Sequence, residues 1–368
     1  MNLFISAGEA SGDLHGARLL DALRALRPDL SAFGMGAARL EAAGLDVVVR
    51  SEAVTVVGIL EVVEKLPALR RALGALEGAA IGRNPEAAVL IDFPDFHARL
   101  SRRLYKDRVP LIYYVSPQVW AWRSWRARTI AERARRIITL FPFETEIYRR
   151  YGGDALCAGH PLVEDVHEGL ALPSPLPPKT RRRLVLLPGS RRQEIQRHWE
   201  TMAAAASRLA KRFDLEVVAI RAAALPEALF AGAAERGIRV EPTGLHAILA
   251  SADLAFVASG TATLDAALCG TPMVVLYRTS GVSWTVAKAL VKLRWASLVN
   301  IVGNDEIVPE LIQDRLTVDN LESEGAALLD SPQRLDAMKA GLARVARELG
   351  PPGASARAAE YVLSALTP

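Results

Sequence analysis

Short apolar runs alternate with helical patterns along nearly the whole of this 368-residue chain, and no other feature constrains its fold as much. In the first half Leu3–Ser6, Val47–Val49, Ala87–Ile91, Leu111–Val115 and Ile137–Leu140 read as strands. In the second half Leu184–Leu187, Leu215–Ile220, Leu254–Ala258 and Met273–Leu276 do the same. Runs without polar alternation suit strands buried on both faces. Strand, helix and strand in repetition mean βαβ units, parallel sheets and helices on both faces, here twice over. The expected class is α/β, with two doubly wound, Rossmann-like domains.

A chain this long exceeds the usual size of a single core. Its 51% hydrophobic and 23% charged residues suit a globular protein with real interiors. Between the halves lies Leu170-Ala-Leu-Pro-Ser-Pro-Leu-Pro-Pro-Lys179, whose prolines continue neither regular structure. The expected organisation is a first domain over 1–165, a Pro-rich linker over 166–182 and a second domain over 183–345. A terminal helix over 346–368 follows, and the sequence leaves its docking open: back onto the first domain, or into a partner in a homodimer. The net charge of +4 and the excess of Arg hint weakly at anionic partners. No finger spacing and no basic run interleaved with stacking aromatics is present, so no nucleic acid is expected. Cys157 and Cys269 follow no ligand spacing, which fits a reducing cytoplasm. No signal-type segment precedes the first strand, and no apolar run approaches the roughly 18 residues of a membrane span. The expected location is cytoplasmic, with a membrane surface still open to the chain.

Ligands of doubly wound sheets sit beyond the carboxyl ends of the strands, so the residues after each run carry the chemistry. After Leu184–Leu187 comes Pro188-Gly189-Ser190-Arg191, then a long helical pattern. A strand, a tight Gly turn and a helix start make an anion cradle of outward N–H groups and positive dipole. Ser190 adds a hydroxyl, and Arg191 adds a planar donor fork suited to phosphate. The same order recurs in Leu254–Ala258 followed by Ser259-Gly260-Thr261, and two such turns suggest one phosphorylated ligand held between them.

The first strand runs into Ala7-Gly8-Glu9-Ala10-Ser11-Gly12-Asp13. G-x-G-x-x-G is absent, which argues against a dehydrogenase. Glu9 in this tight turn is a candidate site residue; Asp13 reads equally well as a cap. Asp92, directly after the Ala87–Ile91 run, stands where a catalytic base would, whereas Asp95 suits a helix cap. Trp120 and Trp122 beside Arg123, Arg126 and Arg128 read as local packing or as a wall for a sugar or acyl chain. The stripe Leu60, Val62, Val63, Leu66 and Leu69 reads first as core. Its alternative is an apolar patch rimmed by Lys65, Arg70 and Arg71, suited to an anionic lipid surface. His15 and His160 have no ligand partner at metal spacing, and His97, His167, His198 and His246 give no pattern.

Together Ala7-Gly-Glu-Ala-Ser-Gly-Asp13, Ile91-Asp-Phe-Pro-Asp-Phe96, Tyr114-Val-Ser-Pro-Gln-Val-Trp-Ala-Trp-Arg123, Leu187-Pro-Gly-Ser-Arg191, Ala258-Ser-Gly-Thr-Ala262 and Pro272-Met-Val-Val-Leu-Tyr-Arg278 resemble the lipid-A-disaccharide synthases, glycosyltransferases of the two-domain GT-B type. The similarity runs in order from the first strand to about Leu311. Asp265 stands where that family usually has Glu, and Val299 precedes Asn300 where Pro is frequent. The resemblance implies UDP-2,3-diacylglucosamine as donor, 2,3-diacylglucosamine 1-phosphate (lipid X) as acceptor and a β(1→6) disaccharide plus UDP as products. It also implies peripheral association with the inner face of the cytoplasmic membrane. The site it points to joins Asp92 as base, Glu9 as helper or rival, and Ser11, Ser190, Arg191, Ser259, Gly260, Thr261, Asp265 and Asn300 as substrate contacts.

Inversion at the donor's anomeric carbon needs one base and a means of stabilising the departing diphosphate, without a covalent intermediate. Arg191 and two helix N-termini would stand in for a metal. No cofactor and no metal are expected, and the domains would close over the substrates about the Pro-rich hinge. Another UDP-sugar glycosyltransferase or a UDP-sugar 2-epimerase of the same architecture is the alternative; a non-catalytic nucleotide-sugar or lipid-binding protein is a third reading.

Overall fold

A computed structural model describes residues 1–54, 66–120, 124–281, 284 and 293–366. The chain divides into two compact units, one built from Met1–Pro161 with Pro351–Pro368, the other from Leu162–Gly350.

The first unit holds a seven-stranded sheet in the order β3-β2-β1-β4-β5-β6-β7. Its strands are β1 Asn2–Ala7, β2 Ser31–Gly36, β3 Asp46–Arg50, β4 Ala87–Ile91, β5 Leu111–Tyr114, β6 Ala134–Thr139 and β7 Ala155–Cys157. Every pairing is parallel. β4 is buried along its whole length, as an Ala-Ala-Val-Leu-Ile run covered on both faces requires. The flanking helices are α1 Ala10–Leu26, α2 Ala38–Ala42, α3 Leu66–Arg83, α4 Pro94–Lys106, α5 Trp125–Arg133 and α6 Pro142–Arg149. On α3, Leu69, Ala72, Leu73, Leu76 and Ala80 recur at helical spacing and are buried. Leu69 therefore belongs to the core, and Leu66 is half-buried; Leu60, Val62 and Val63 of the same expected stripe lie outside the described residues.

The second unit holds a six-stranded sheet, β10-β9-β8-β11-β12-β13. Its strands are β8 Arg183–Leu187, β9 Glu216–Ile220, β10 Ile238–Glu241, β11 Leu254–Ala258, β12 Met273–Tyr277 and β13 Glu310–Ile312, again all parallel. The helices are α7 Leu162–Ala171, α8 Arg192–Phe213, α9 Leu245–Ala250, α10 Ala262–Leu268, α11 Leu298–Gly303, α12 Val318–Leu329 and α13 Pro332–Glu348. α7 packs on α9 and α10 within this unit. The chain thus passes from the first unit to the second at Pro161–Leu162, ahead of the Pro-rich 166–182 stretch, which lies in the second unit.

A last helix, α14 Ala354–Ser364, returns to the first unit and packs on α1. Its buried face is Ala354, Ser355, Ala358, Ala359 and Val362, small residues that let two helices approach closely. Arg357 Nε donates to the Ala158 carbonyl at 2.9 Å, and Tyr361 Oη donates to Asp154, itself paired with Arg136. The helix is thus part of the first unit's core. Val362→Asp, which places an unpaired carboxylate at a position with 0% exposure, is expected to lower stability by several kcal/mol. Thermal unfolding followed by calorimetry measures it.

Candidate active site

Both sheets reverse their strand order once: between β1 and β4 in the first, between β8 and β11 in the second. At such a reversal the helices after the two central strands leave on opposite faces, and a crevice opens at the carboxyl ends. Ala7 pairs with Ile91, so the Gly8-Glu9 turn and Asp92 are neighbours. Leu187 pairs with Val257, which puts the turns carrying Arg191 and Thr261 side by side.

In the first unit the structure brings Glu9, Ser11 and Asp92 together. Asp92 and Phe93 both adopt left-handed backbone, φ +52° and +58°, a conformation that strains a residue with a Cβ by roughly 1–2 kcal/mol. The turn bends α4 away and leaves the Asp92 carboxylate at the sheet edge. Its Oδ1 accepts from Phe93 N at 2.9 Å, and its Oδ2 accepts from Ser11 Oγ at 3.5 Å. Gly8 is required here: a Cβ on it would meet the Phe93 ring at 2.1 Å. Burial, then the nearby Glu9 carboxylate, push the Asp92 carboxyl up to about 6. Glu9 is exposed at the start of α1, and its side chain makes no capping bond.

Asp13 does not face this site. Its two oxygens accept from Ala37 N at 2.7 Å, Arg39 N at 3.0 Å and Leu40 N at 3.3 Å, so it caps α2 rather than its own helix. Along the same edge, Trp120 is half-buried and donates to the buried Glu144 at 2.8 Å. Glu144 also accepts from Leu140 N and Phe141 N, both at 3.2 Å, and burial pushes it up to about 7. The rings of Trp120, Phe143, Phe141 and His160 follow one another at 5.4–5.5 Å between centroids. Trp120 is thus a packing residue; Trp122 and Arg123 lie outside the described residues. Burial pulls His15 down to about 4 and His160 to about 3, leaving two neutral imidazoles 6.5 Å apart.

The second unit modifies the expected cradle. Gly189, at φ +126°, turns the chain into α8. The N–H groups of Ser190 and Arg191, however, are both taken by Glu194 Oε2, at 2.9 and 3.2 Å, and the Arg191 guanidinium meets Glu194 Oε1 at 3.2 Å. An internal carboxylate thus occupies the anion position. Glu194 lies three residues after Arg191, the position from which a side chain reaches back over a helix start, and that spacing was legible in the sequence. The Arg191 side chain remains 71% exposed. Ser259 Oγ donates to Ala296 O at 2.7 Å, while Gly260 and Thr261 are exposed at the start of α10.

Two further expected contacts are buried and already bonded within the protein. Asn300 is fully buried, and its amide is consumed inside the protein. Nδ2 donates to Val308 O and Glu310 Oε1, and Oδ1 accepts from Ile307 N and Val308 N, all at 2.9–3.0 Å. With two donors and two acceptors all used, Asn300 pins the 304–310 loop and has nothing left for a substrate. Asp265 is 7% exposed and accepts from His246 Nε2 at 2.9 Å. Among the described residues, no group of three or more His, Cys, Asp or Glu side chains is arranged to hold a metal ion, and no helix is long and apolar enough to cross a membrane.

The sequence model of the Lipid-A-disaccharide synthetase family matches residues 3–362, both sheets included. The chain belongs to this family. Lipid-A-disaccharide synthase of Solibacter usitatus (strain Ellin6076) is 40% identical over 98% of this chain and 97% of its own length. That of Myxococcus xanthus (strain DK1622) is 40% identical over 100% of this chain and 98% of its own. Among solved structures, the calicheamicin glycosyltransferase CalG4 superposes with a TM-score of 0.64 at 16% identity, covering 99% of this chain and 98% of that one. UDP-GlcNAc 2-epimerase from Neisseria meningitidis bound to UDP-GlcNAc gives 0.65 at 10% identity, covering 99% and 100%. These likenesses show the GT-B fold; the family match separates the synthetases from the epimerases, which the fold alone does not.

The raised Asp92 value carries a stability consequence with a definite sign. Above about pH 6 the folded chain holds an ionised carboxylate that the fold disfavours; below about pH 4 both states are protonated and the difference vanishes. Asp92→Asn is therefore expected to melt at or above the parent at about pH 8, with the gap closing toward about pH 4. Calorimetric scans across that range test it.

Proposed function

We propose that the chain transfers 2,3-diacylglucosamine from UDP-2,3-diacylglucosamine to the 6-hydroxyl of 2,3-diacylglucosamine 1-phosphate. The products are the β(1→6) disaccharide 1-phosphate and UDP. The observation that carries the reading is the Asp92 carboxylate, half-buried at the switch point of the first sheet and shifted toward neutrality, in a chain of the synthetase family. Asp92 takes the acceptor hydroxyl proton as the oxygen attacks the anomeric carbon and the bond to the diphosphate breaks. Ser11 and Glu9 border the same carboxylate. Glu9 is the rival base.

The leaving diphosphate falls to the second unit. Glu194 covers the Ser190 and Arg191 N–H groups, so the exposed Arg191 guanidinium, with the Gly260-Thr261 turn beside it, is the group we assign to the diphosphate. Asp265 stays a proposed donor contact through the edge of its carboxylate that His246 leaves open; Ser190 and Ser259 offer hydroxyls. The reaction is proposed to need no metal, and turnover is expected to survive EDTA. Both substrates are lipids, so the chain is proposed to work at an anionic membrane surface on its cytoplasmic side.

Mass spectrometry of the disaccharide and of released UDP, from the two lipid substrates, tests the reading. Asp92→Asn is expected to cut kcat by roughly 10²–10⁴ while UDP binding survives. Loss of turnover in Glu9→Gln with an active Asp92→Asn would move the base to Glu9. Since a base must be ionised, parent activity is expected to fall as pH drops through about 6. Arg191→Ala is expected to raise the KM for donor, by the roughly 1.5–3 kcal/mol of a lost charged hydrogen bond, with Arg191→Lys between it and the parent. An unchanged KM for donor in the Ala variant would remove Arg191 from the site.

A further inference from the structure

We propose that His97 is a positioning residue for the general base, holding the Asp92 backbone in the left-handed conformation that presents its carboxylate. The inference rests on the reading of Asp92 as that base.

His97 lies in the first turn of α4, and its own N–H is fixed to Phe93 O at 3.0 Å. Its Nδ1 meets the carbonyl oxygen of Asp92, and its Nε2 lies 2.9 Å from Ser6 Oγ, in the neighbouring strand β1. A carbonyl only accepts, so Nδ1 carries the hydrogen. In the neutral ring Nε2 then accepts from the Ser6 hydroxyl, and one tautomer satisfies both partners. Ser6 is 0% and His97 1% exposed, with the rings of Phe93 and Phe96 each 6.0 Å from the imidazole. Neither bond competes with water.

The Asp92 peptide is thereby held on both sides: its N–H donates to Tyr114 O at 3.3 Å in β5, and its C=O is taken by His97. Two consecutive left-handed residues with side chains do not persist unless the surroundings enforce them. Here the enforcing contacts join three strands and one helix. Released from the imidazole, the Asp92 peptide can relax toward ordinary backbone, and the carboxylate then turns from Ser11 and Glu9. The imidazole is buried behind the peptide, so it acts on the reaction only through Asp92.

The test compares His97→Leu, His97→Asn, Ser6→Ala and Asp92→Asn in the full chain, with UDP-diacylglucosamine and lipid X as substrates. For His97→Leu, kcat is expected to fall roughly 10- to 100-fold with both KM values within about twofold of the parent. Its acid limb is expected to move from about pH 6 toward the ordinary carboxylate range, because the freed carboxylate gains solvent. His97→Asn keeps an N–H near the Nδ1 position and is expected to recover most of the turnover; Ser6→Ala is expected to lose less than His97→Leu. Should His97→Leu fail to fold, the Asn and Ser6 variants carry the test through the same acid limb. Parent-like kcat and acid limb in His97→Leu, with Asp92→Asn inactive, would overturn the role of His97 and leave the base in place. Equal losses in the Leu and Asn variants with an unmoved limb would reduce His97 to packing. An active Asp92→Asn would instead remove the base itself.

Discussion

A parallel sheet cannot be closed by hairpins. Each strand must return through a connection that crosses a face, so every carboxyl end in the sheet opens on one edge. The chemistry of this chain follows from that constraint. Glu9, Ser11, Asp92 and the Trp120–Glu144 contact all lie beyond the carboxyl ends of strands of the first sheet, and Ser190, Arg191, Ser259 and Thr261 lie beyond those of the second. The single reversal of strand order in each sheet selects among these ends and concentrates the charged groups at β1–β4 and β8–β11.

The two switch points handle charge in opposite ways. In the first, burial of Asp92 and then the nearby exposed Glu9 carboxylate push the Asp92 carboxyl up to about 6. In the second, an exposed cation and two backbone donors converge, and the protein supplies its own anion in Glu194. The same histidine geometry supports both. His97 Nδ1 bonds the carbonyl just after β4, and His198 Nδ1 bonds that of Pro188 just after β8, at 2.8 Å. His198 Nε2 then accepts from Arg278 N at 3.0 Å, tying the end of β12 to the same turn. A neutral imidazole, donor on one side and acceptor on the other, here bridges two backbone groups at His198, and a backbone carbonyl and the Ser6 hydroxyl at His97.

Strands with β-branched or large apolar residues, such as Ala87–Ile91 and Leu254–Ala258, were legible in the sequence to the residue. β2, Ser-Ala-Phe-Gly-Met-Gly, was not, because its two glycines and a register shift at Gly34 erase the apolar run. β7, β10 and β13 are edge or near-edge strands of three or four residues, too short to leave a period. The placement of candidate residues was legible where they follow a buried strand, as with Asp92 and Arg191. The internal bonds of Asn300 were not legible, since an amide that bonds its own loop looks in sequence like one that bonds a ligand. His97 was invisible because its partners, Ser6 and a main-chain carbonyl, carry no pattern of their own.

α14 has one more consequence, for the order in which the chain can fold. A ribosome makes α1 well before the helix that covers it, with the whole of the second unit between them. Until that segment emerges, α1 offers uncovered apolar surface to chaperones and to neighbouring chains. The second unit is continuous in sequence and can close as soon as it is made. The half carrying the proposed base therefore matures after the half carrying the proposed nucleotide site, and a stalled or clipped product would leave a closed second unit beside an unfinished first one.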